Sequence, residues 1–235
     1  MKTVYLDLRR PINPPSRWDS YDMEILVPTL SAYAIEYVEF LAGHSPDMGY
    51  RPLVEGQDFE LNNNSLIWHG FDEGFLSTNS LRLVIHHHGI RDYEALFPFV
   101  EDERYRKRLG QYYEEAEQVF ETGAWLSYTL MCGALYEGVL GCVLENYDDV
   151  FHVLIQQAAE KGIITEEQRS VMNSARDARN LVHISRIKKE YVSRADAMDM
   201  RTTMDKVIYN FALTHGMQQE KRESKSKEHI ENPSA

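Results

Sequence analysis

The sequence predicts a mainly α protein, a helical bundle with a smaller α+β region before it. Three observations predict this. Prolines and glycines crowd the first hundred residues and then thin out, with no proline between Pro98 and Pro233. Residues 124–145 make an almost wholly apolar stretch of helical length, and a Thr-x-x-Gln helix start stands at Thr165. With 43% hydrophobic residues in 235, the chain can bury a full core, which excludes disorder as its main state.

Charge narrows the function classes. The formal net charge is -12, but it is uneven: residues 1–100 hold 7 basic and 14 acidic side chains, 101–150 hold 4 and 11, and 151–235 hold 14 and 12. Only the C-terminal third can attract a polyanion. An acidic body argues against broad duplex binding, whose affinity comes from Lys and Arg displacing counterions along the phosphates. No uninterrupted apolar run approaches the ~18 residues of a membrane span, and the start Met1-Lys2-Thr3-Val4 lacks a signal-peptide pattern. Cys132 and Cys142 lie within one apolar stretch and make no disulfide framework. The expectation is a cytoplasmic protein without a membrane partner.

Taken in order, residues 21–43 place Ile25, Leu26, Leu30, Tyr33, Ile35, Tyr37, Val38 and Leu41 at broadly helical spacing, with Gly43 as the stop, so a helix is expected there. Pro46, Gly49, Pro52, Gly56, Gly70 and Gly74 then punctuate short extended runs at Phe59 to Leu61, Leu66 to Trp68 and Leu81 to His86, which read as a small hairpin or sheet. Asn62 to Ser65 reads as a turn. Residues 1–100 therefore form the α+β region, of unknown role.

Residues 101–216 read as the bundle. A helix over 102–121 turns Tyr105, Leu109, Tyr112, Tyr113, Ala116, Val119 and Phe120 inward and leaves Glu114, Glu115 and Glu117 to solvent. The apolar helix 124–145 is central, and Gly133, Gly138 and Gly141 within it imply a closely approaching neighbour, since each costs ~1 kcal/mol relative to Ala. A third helix covers 149–161. A fourth starts at the Thr165/Gln168 capping box, and a fifth covers about 194–214. The tail 217–235, rich in Lys, Glu and Ser and without an apolar face, is expected to be disordered.

The chemistry-bearing pattern lies on the fourth helix. Val171, Ala175, Ala178 and Val182 form one buried stripe, which puts Arg169, Arg176, Arg179 and His183 on a single flank if the helix continues. Guanidinium groups grip phosphate oxygens without losing their proton, and imidazole exchanges a proton near neutral pH. The bland reading is a solvated edge or a set of salt bridges.

Arg176-Asp177-Ala178-Arg179-Asn180-Leu181-Val182-His183 resembles the motif of the HEPN family of helical bundles, found in prokaryotic ribonucleases, toxins and defence proteins. The resemblance covers roughly residues 104–214. Arg176 and His183 enclose six residues, while Arg179-Asn180 supplies an Arg-Asn pair three residues before His183. Ala134-Leu135-Tyr136-Glu137-Gly138-Val139-Leu140 is similar to the family's Ala-Leu-x-Glu-x-x-Leu helix. The resemblance implies metal-independent RNA cleavage, without cofactor, at a site shared by two motif helices of a homodimer, in a stress or defence setting. A protein partner or antitoxin is implied as well. His183 would act as general acid or base and Arg176 or Arg179 would stabilise the phosphorane. Asn180 and Asp177 would orient them, and Glu137 would pair with a motif arginine. The alternative is a non-catalytic interaction module with the Arg/His motif in a structural role.

Rival sites are weaker. His86-His87-His88 would put His86 and His88 on one face of a strand, but two ligands with His69, Asp72 and Asp92 at no diagnostic spacing do not make a zinc site. No phosphate loop and no Gly-x-Ser-x-Gly elbow occurs. Tyr105, Tyr112 and Tyr113 read as packing residues more than as stacking platforms.

Overall fold

The computed structural model describes residues 2–8, 21–42, 54–62, 64–71 and 81–231. The chain divides into two compact units, Met1–Asp92 and Tyr93–Ala235.

Among the described residues, the first unit consists of strands and one short 3-10 turn. The strands are β1 (Lys2–Leu8), β2 (Tyr21–Leu26), β3 (Tyr33–Ala42), β4 (Phe59–Asn62), β5 (Ser65–Phe71) and β6 (Leu81–Ile90). They make two antiparallel three-stranded sheets, in the orders β1-β6-β3 and β2-β5-β4. The helix expected over 21–43 is absent: two strands, β2 and β3, stand there, joined through a short 3-10 turn at Leu30–Ala32. The period decides it. Met23 and Ile25 are buried while Asp22 and Glu24 are exposed, the alternation of a half-buried strand, and Pro28 removes a donor where a helix would need one.

The expected extended runs do form strands, and the chain reverses between the paired residues Asn62 and Ser65. Asn64 contributes more than turn geometry. Its side-chain oxygen accepts from Ser31 Oγ at 2.8 Å, and its carbonyl accepts from the Val27 N–H at 2.7 Å, tying the hairpin tip to the β2–β3 connection. Asn63, Gly43, Pro46, Gly49, Pro52, Asp72 and Gly74 lie outside the described residues.

The second unit holds five helices: α1 (Glu103–Glu121), α2 (Trp125–Leu144), α3 (Phe151–Glu160), α4 (Glu166–Ala178) and α5 (Arg194–Glu231). α2 packs against all four others, burying Tyr128, Cys132, Leu135, Tyr136, Val139 and Leu140. By length and composition alone it could cross a membrane; in the fold it is the bundle's core helix. The close approach implied by its glycines is real at Gly138, where a Cβ would stand 2.7 Å from Leu109 Cδ2 of α1. Tyr136 Oη donates to the Met200 carbonyl at 2.7 Å, so the buried hydroxyl of α2 also fixes α5.

Three expectations for this unit need correction. Tyr105 does not face inward: it is 39% exposed and stacks on Tyr147, with ring centroids 4.5 Å apart. Glu117 is not a solvent-exposed carboxylate; its side chain is 11% exposed and pairs with Arg201. The tail is not disordered from 217, because α5 runs on to Glu231. Gln, Glu, Lys and Arg are good helix formers, and no Gly or Pro interrupts residues 217–231.

Candidate functional site

α4 begins as the sequence requires. The Gln168 N–H donates to Thr165 Oγ1 at 3.2 Å, and the Thr165 N–H donates to Gln168 Oε1 at 2.8 Å, a complete capping box. Met172, Ala175 and Ala178 are buried and fix the core side of the helix.

The helix then stops sooner than its pattern suggests. Its last residue is Ala178, Arg179–Val182 forms a 3-10 turn, and His183 is extended with φ -86° and ψ 122°. A second 3-10 turn covers Ile184–Arg186. His183 and Val182 therefore leave the helical faces assigned to them; Val182 is 53% exposed. No Gly or Pro marks this end. Its cause is the lack of a surface to pack on: Arg179, Asn180 and Val182 to Tyr191 are all exposed, and a helix without an apolar face against a core loses most of what stabilises it.

Of the expected flank, each arginine holds a carboxylate. Arg176 donates to Asp177 Oδ1 through Nε at 3.1 Å and Nη2 at 2.8 Å. Arg179 Nη1 donates to Glu137 Oε2 at 2.9 Å, which is the pairing expected for Glu137. Arg169 pairs with Glu166 at 3.1 Å. The Arg179 stem passes Gly133, where a Cβ would stand in ordinary contact with Arg179 Cδ at 3.5 Å, and reaches Glu137 one turn on.

These ion pairs are half open to water, with Arg176 at 38% and Arg179 at 47% side-chain exposure. Asn180 and His183 are exposed as well. The result is an accessible run of guanidinium, amide and imidazole groups at the end of α4, two of whose cations an entering phosphate would have to draw away from carboxylates.

Sequence reasoning missed a second polar cluster, between α1 and α5. Arg201 Nη2 donates to Glu117 Oε1 at 3.0 Å, Tyr93 Oη donates to Glu117 Oε2 at 3.2 Å, and Tyr113 Oη donates to Asp205 Oδ1 at 2.7 Å. The Arg201 guanidinium lies 4.5 Å from the centre of the Phe120 ring. Burial, followed by the Glu117 charge, pushes the Tyr93 phenol up to about 12. A cavity of about 10 Å³ lies among Tyr113, Glu117, Phe120, Tyr128 and Arg201, room for one water and for no substrate. The signal in the sequence was position: Glu117 follows Ala116 on the buried side of α1, and Arg201 stands between the buried Met200 and Met204.

The histidines of β6 do not converge on a metal. His86 Nε2 lies 3.5 Å from Glu39 and His88 Nε2 lies 3.5 Å from Glu36, while His87 is buried on the opposite face with Nδ1 3.0 Å from the Gly89 carbonyl. Among the described residues no three His, Cys, Asp or Glu side chains are grouped to hold an ion.

Comparison with family models, with curated proteins and with solved structures returns no match.

Proposed function

We propose that this is a HEPN-like RNA-binding protein that grips a phosphodiester with the segment Arg176–His183 and cleaves it without a metal ion. The observation that carries the reading is the accessibility of the whole set: Arg176, Arg179, Asn180 and His183 all face water at the end of α4. An RNA phosphate would exchange with the Asp177 and Glu137 carboxylates for the two guanidiniums, a trade of one charge-assisted hydrogen bond for another. His183 would take the proton of the ribose 2′-hydroxyl or supply one to the leaving 5′-oxygen, and an arginine would stabilise the phosphorane, giving a 2′,3′-cyclic phosphate.

A second reading follows from the same ion pairs. With Arg179 on Glu137, the motif can serve as a clamp between the end of α4 and α2 in a non-catalytic interaction module, while Arg176 is held by its neighbour Asp177. Incubating the full chain with mixed RNA in EDTA separates the two. The proposal expects cleavage ending in 2′,3′-cyclic phosphate, and loss of at least ~100-fold in rate for His183→Ala and Arg176→Ala. Intact RNA with wild-type protein, or equal cleavage by His183→Ala, would leave the clamp.

A further inference from the structure

We propose that residues 182–191, between α4 and α5, dock the helical unit on an anionic lipid surface. Every residue of this segment is exposed. Ile184, Ile187 and Tyr191 are 82%, 76% and 69% exposed, the three most exposed of the large hydrophobic residues described, and Val182 is 53% exposed. Exposed apolar residues scattered singly need no explanation, but four within one short segment do.

The local backbone sorts these side chains. The Arg186 N–H donates to the His183 carbonyl at 2.8 Å, the Ile187 N–H to the Ile184 carbonyl at 3.1 Å, and the Lys189 N–H to the Arg186 carbonyl at 2.8 Å. Residues three apart in such turns share a side. Ile184 and Ile187 therefore make an aliphatic edge, and Arg186 and Lys189 make a basic edge beside it. Lys188 is exposed, as is Arg194 at the start of α5, and Glu190 is the one acid of the segment. These cations are uncommitted. Arg169, Arg176 and Arg179 each hold a carboxylate, whereas among the described residues Arg186, Lys188, Lys189 and Arg194 pair with none.

The occupant follows from charge and chemistry. A cluster of cations facing water calls for an anionic partner. Aliphatic side chains do not stack on bases, which argues against RNA. Ile184 and Ile187 stand out from their turn as a wedge, and a wedge enters the acyl boundary of a bilayer without a partner of matching shape. Anionic headgroups would take the basic edge, with the Tyr191 ring at the interface that tyrosine favours. Acidic groups held farther than ~8 Å from the headgroups are screened at physiological ionic strength, so the net charge of the chain does not forbid the contact. Surface docking needs no spanning run, whose lack was a ground for expecting no membrane partner. It also does not depend on any action of residues 176–183 on RNA.

Flotation of the full chain with vesicles tests it. Phosphatidylcholine vesicles with about a third phosphatidylserine should carry the wild-type chain. Pure phosphatidylcholine should bind it at least about tenfold more weakly, and the difference should shrink as salt rises. Ile184→Ser with Ile187→Ser should weaken binding to the anionic vesicles at least about tenfold and keep its salt dependence, because apolar burial is not screened. Lys188→Ala with Lys189→Ala should weaken it at least about tenfold and flatten the salt dependence. All four side chains are exposed, so melting curves should match wild type and separate lost docking from lost folding. The fluorescence added by Tyr191→Trp should be quenched by lipids brominated on the acyl chain. No flotation with anionic vesicles at about 1 mM lipid, binding unchanged by the isoleucine pair, or an unquenched Tyr191→Trp would overturn the proposal. So would a lysine-pair variant that loses affinity for an RNA oligomer and keeps its vesicle binding, which would assign the segment to RNA.

Discussion

Arg201 shows what a single side chain contributes to this bundle. It is 27% exposed, bonds a Glu117 side chain that is 11% exposed, and lies over the Phe120 ring. Removing it strands a mostly buried carboxylate, so Arg201→Ala should cost about 2–3 kcal/mol, less than the ~3–5 of a fully buried pair. Urea melts measure this, and an unchanged midpoint would contradict it. By contrast, the partly exposed ion pairs Arg179–Glu137 and Arg176–Asp177 belong to the class worth about 0–1 kcal/mol, which leaves both arginines free to be recruited. The two thiols make the opposite case. Burial pushes Cys132 up to about 12 and Cys142 up to about 11. At pH 7.5 iodoacetamide should therefore modify neither in the native protein and both after unfolding; rapid native labelling would show that the α2 environment is misdescribed.

At the scale of elements, caps and continuous apolar runs were legible, while ends set by packing were not. The Thr165 box and the whole of α2 follow from residue type alone. The start of α5 shows the same logic at Ser193-Arg194-Ala195-Asp196, a box that went unread. The Ser193 N–H donates to Asp196 Oδ2 at 2.8 Å, and the Asp196 N–H donates to Ser193 Oγ at 3.2 Å. Hydrogen bonds from Ser193 hold the Asp196 carboxyl below its ordinary value. A carboxyl depressed on folding stabilises above its unfolded pKa near 4, and that contribution fades as pH falls through the lower folded value. Asp196→Asn should therefore cost more stability at pH 7 than in acid below the lowered value. Thermal melts at both values check it, and an equal deficit at both would contradict the charge-based account. β2 and β3 were misread because Ile25, Leu26, Leu30 and Tyr33 fit a helical period, and the strand alternation of Met23 and Ile25 against Asp22 and Glu24 was passed over. The end of α4 was invisible because no residue type signals it, only the missing surface beyond Ala178.

For the molecule as a whole, the order of the five helices was legible in the proline distribution and the apolar runs, while the helix expected over 21–43 is replaced by strands. The shape of the candidate site was not legible. Arg176 and Arg179 came out close to the expected place, and Glu137 met one of them, but His183 stands on extended backbone beyond the helix. Arg176, Arg179, Arg186, Lys188 and Lys189 concentrate basic residues in one stretch of a protein of net charge -12, the setting that the proposed anion site requires. The most direct test of that site is binding of a short single-stranded RNA by the cleavage-blocked His183→Ala chain, followed by fluorescence anisotropy across a salt series. The account predicts binding that weakens as salt rises, with a log–log slope reduced by about one unit when Arg176 or Arg179 is changed to Ala. No binding at low salt, or a slope indifferent to both arginines, would contradict it.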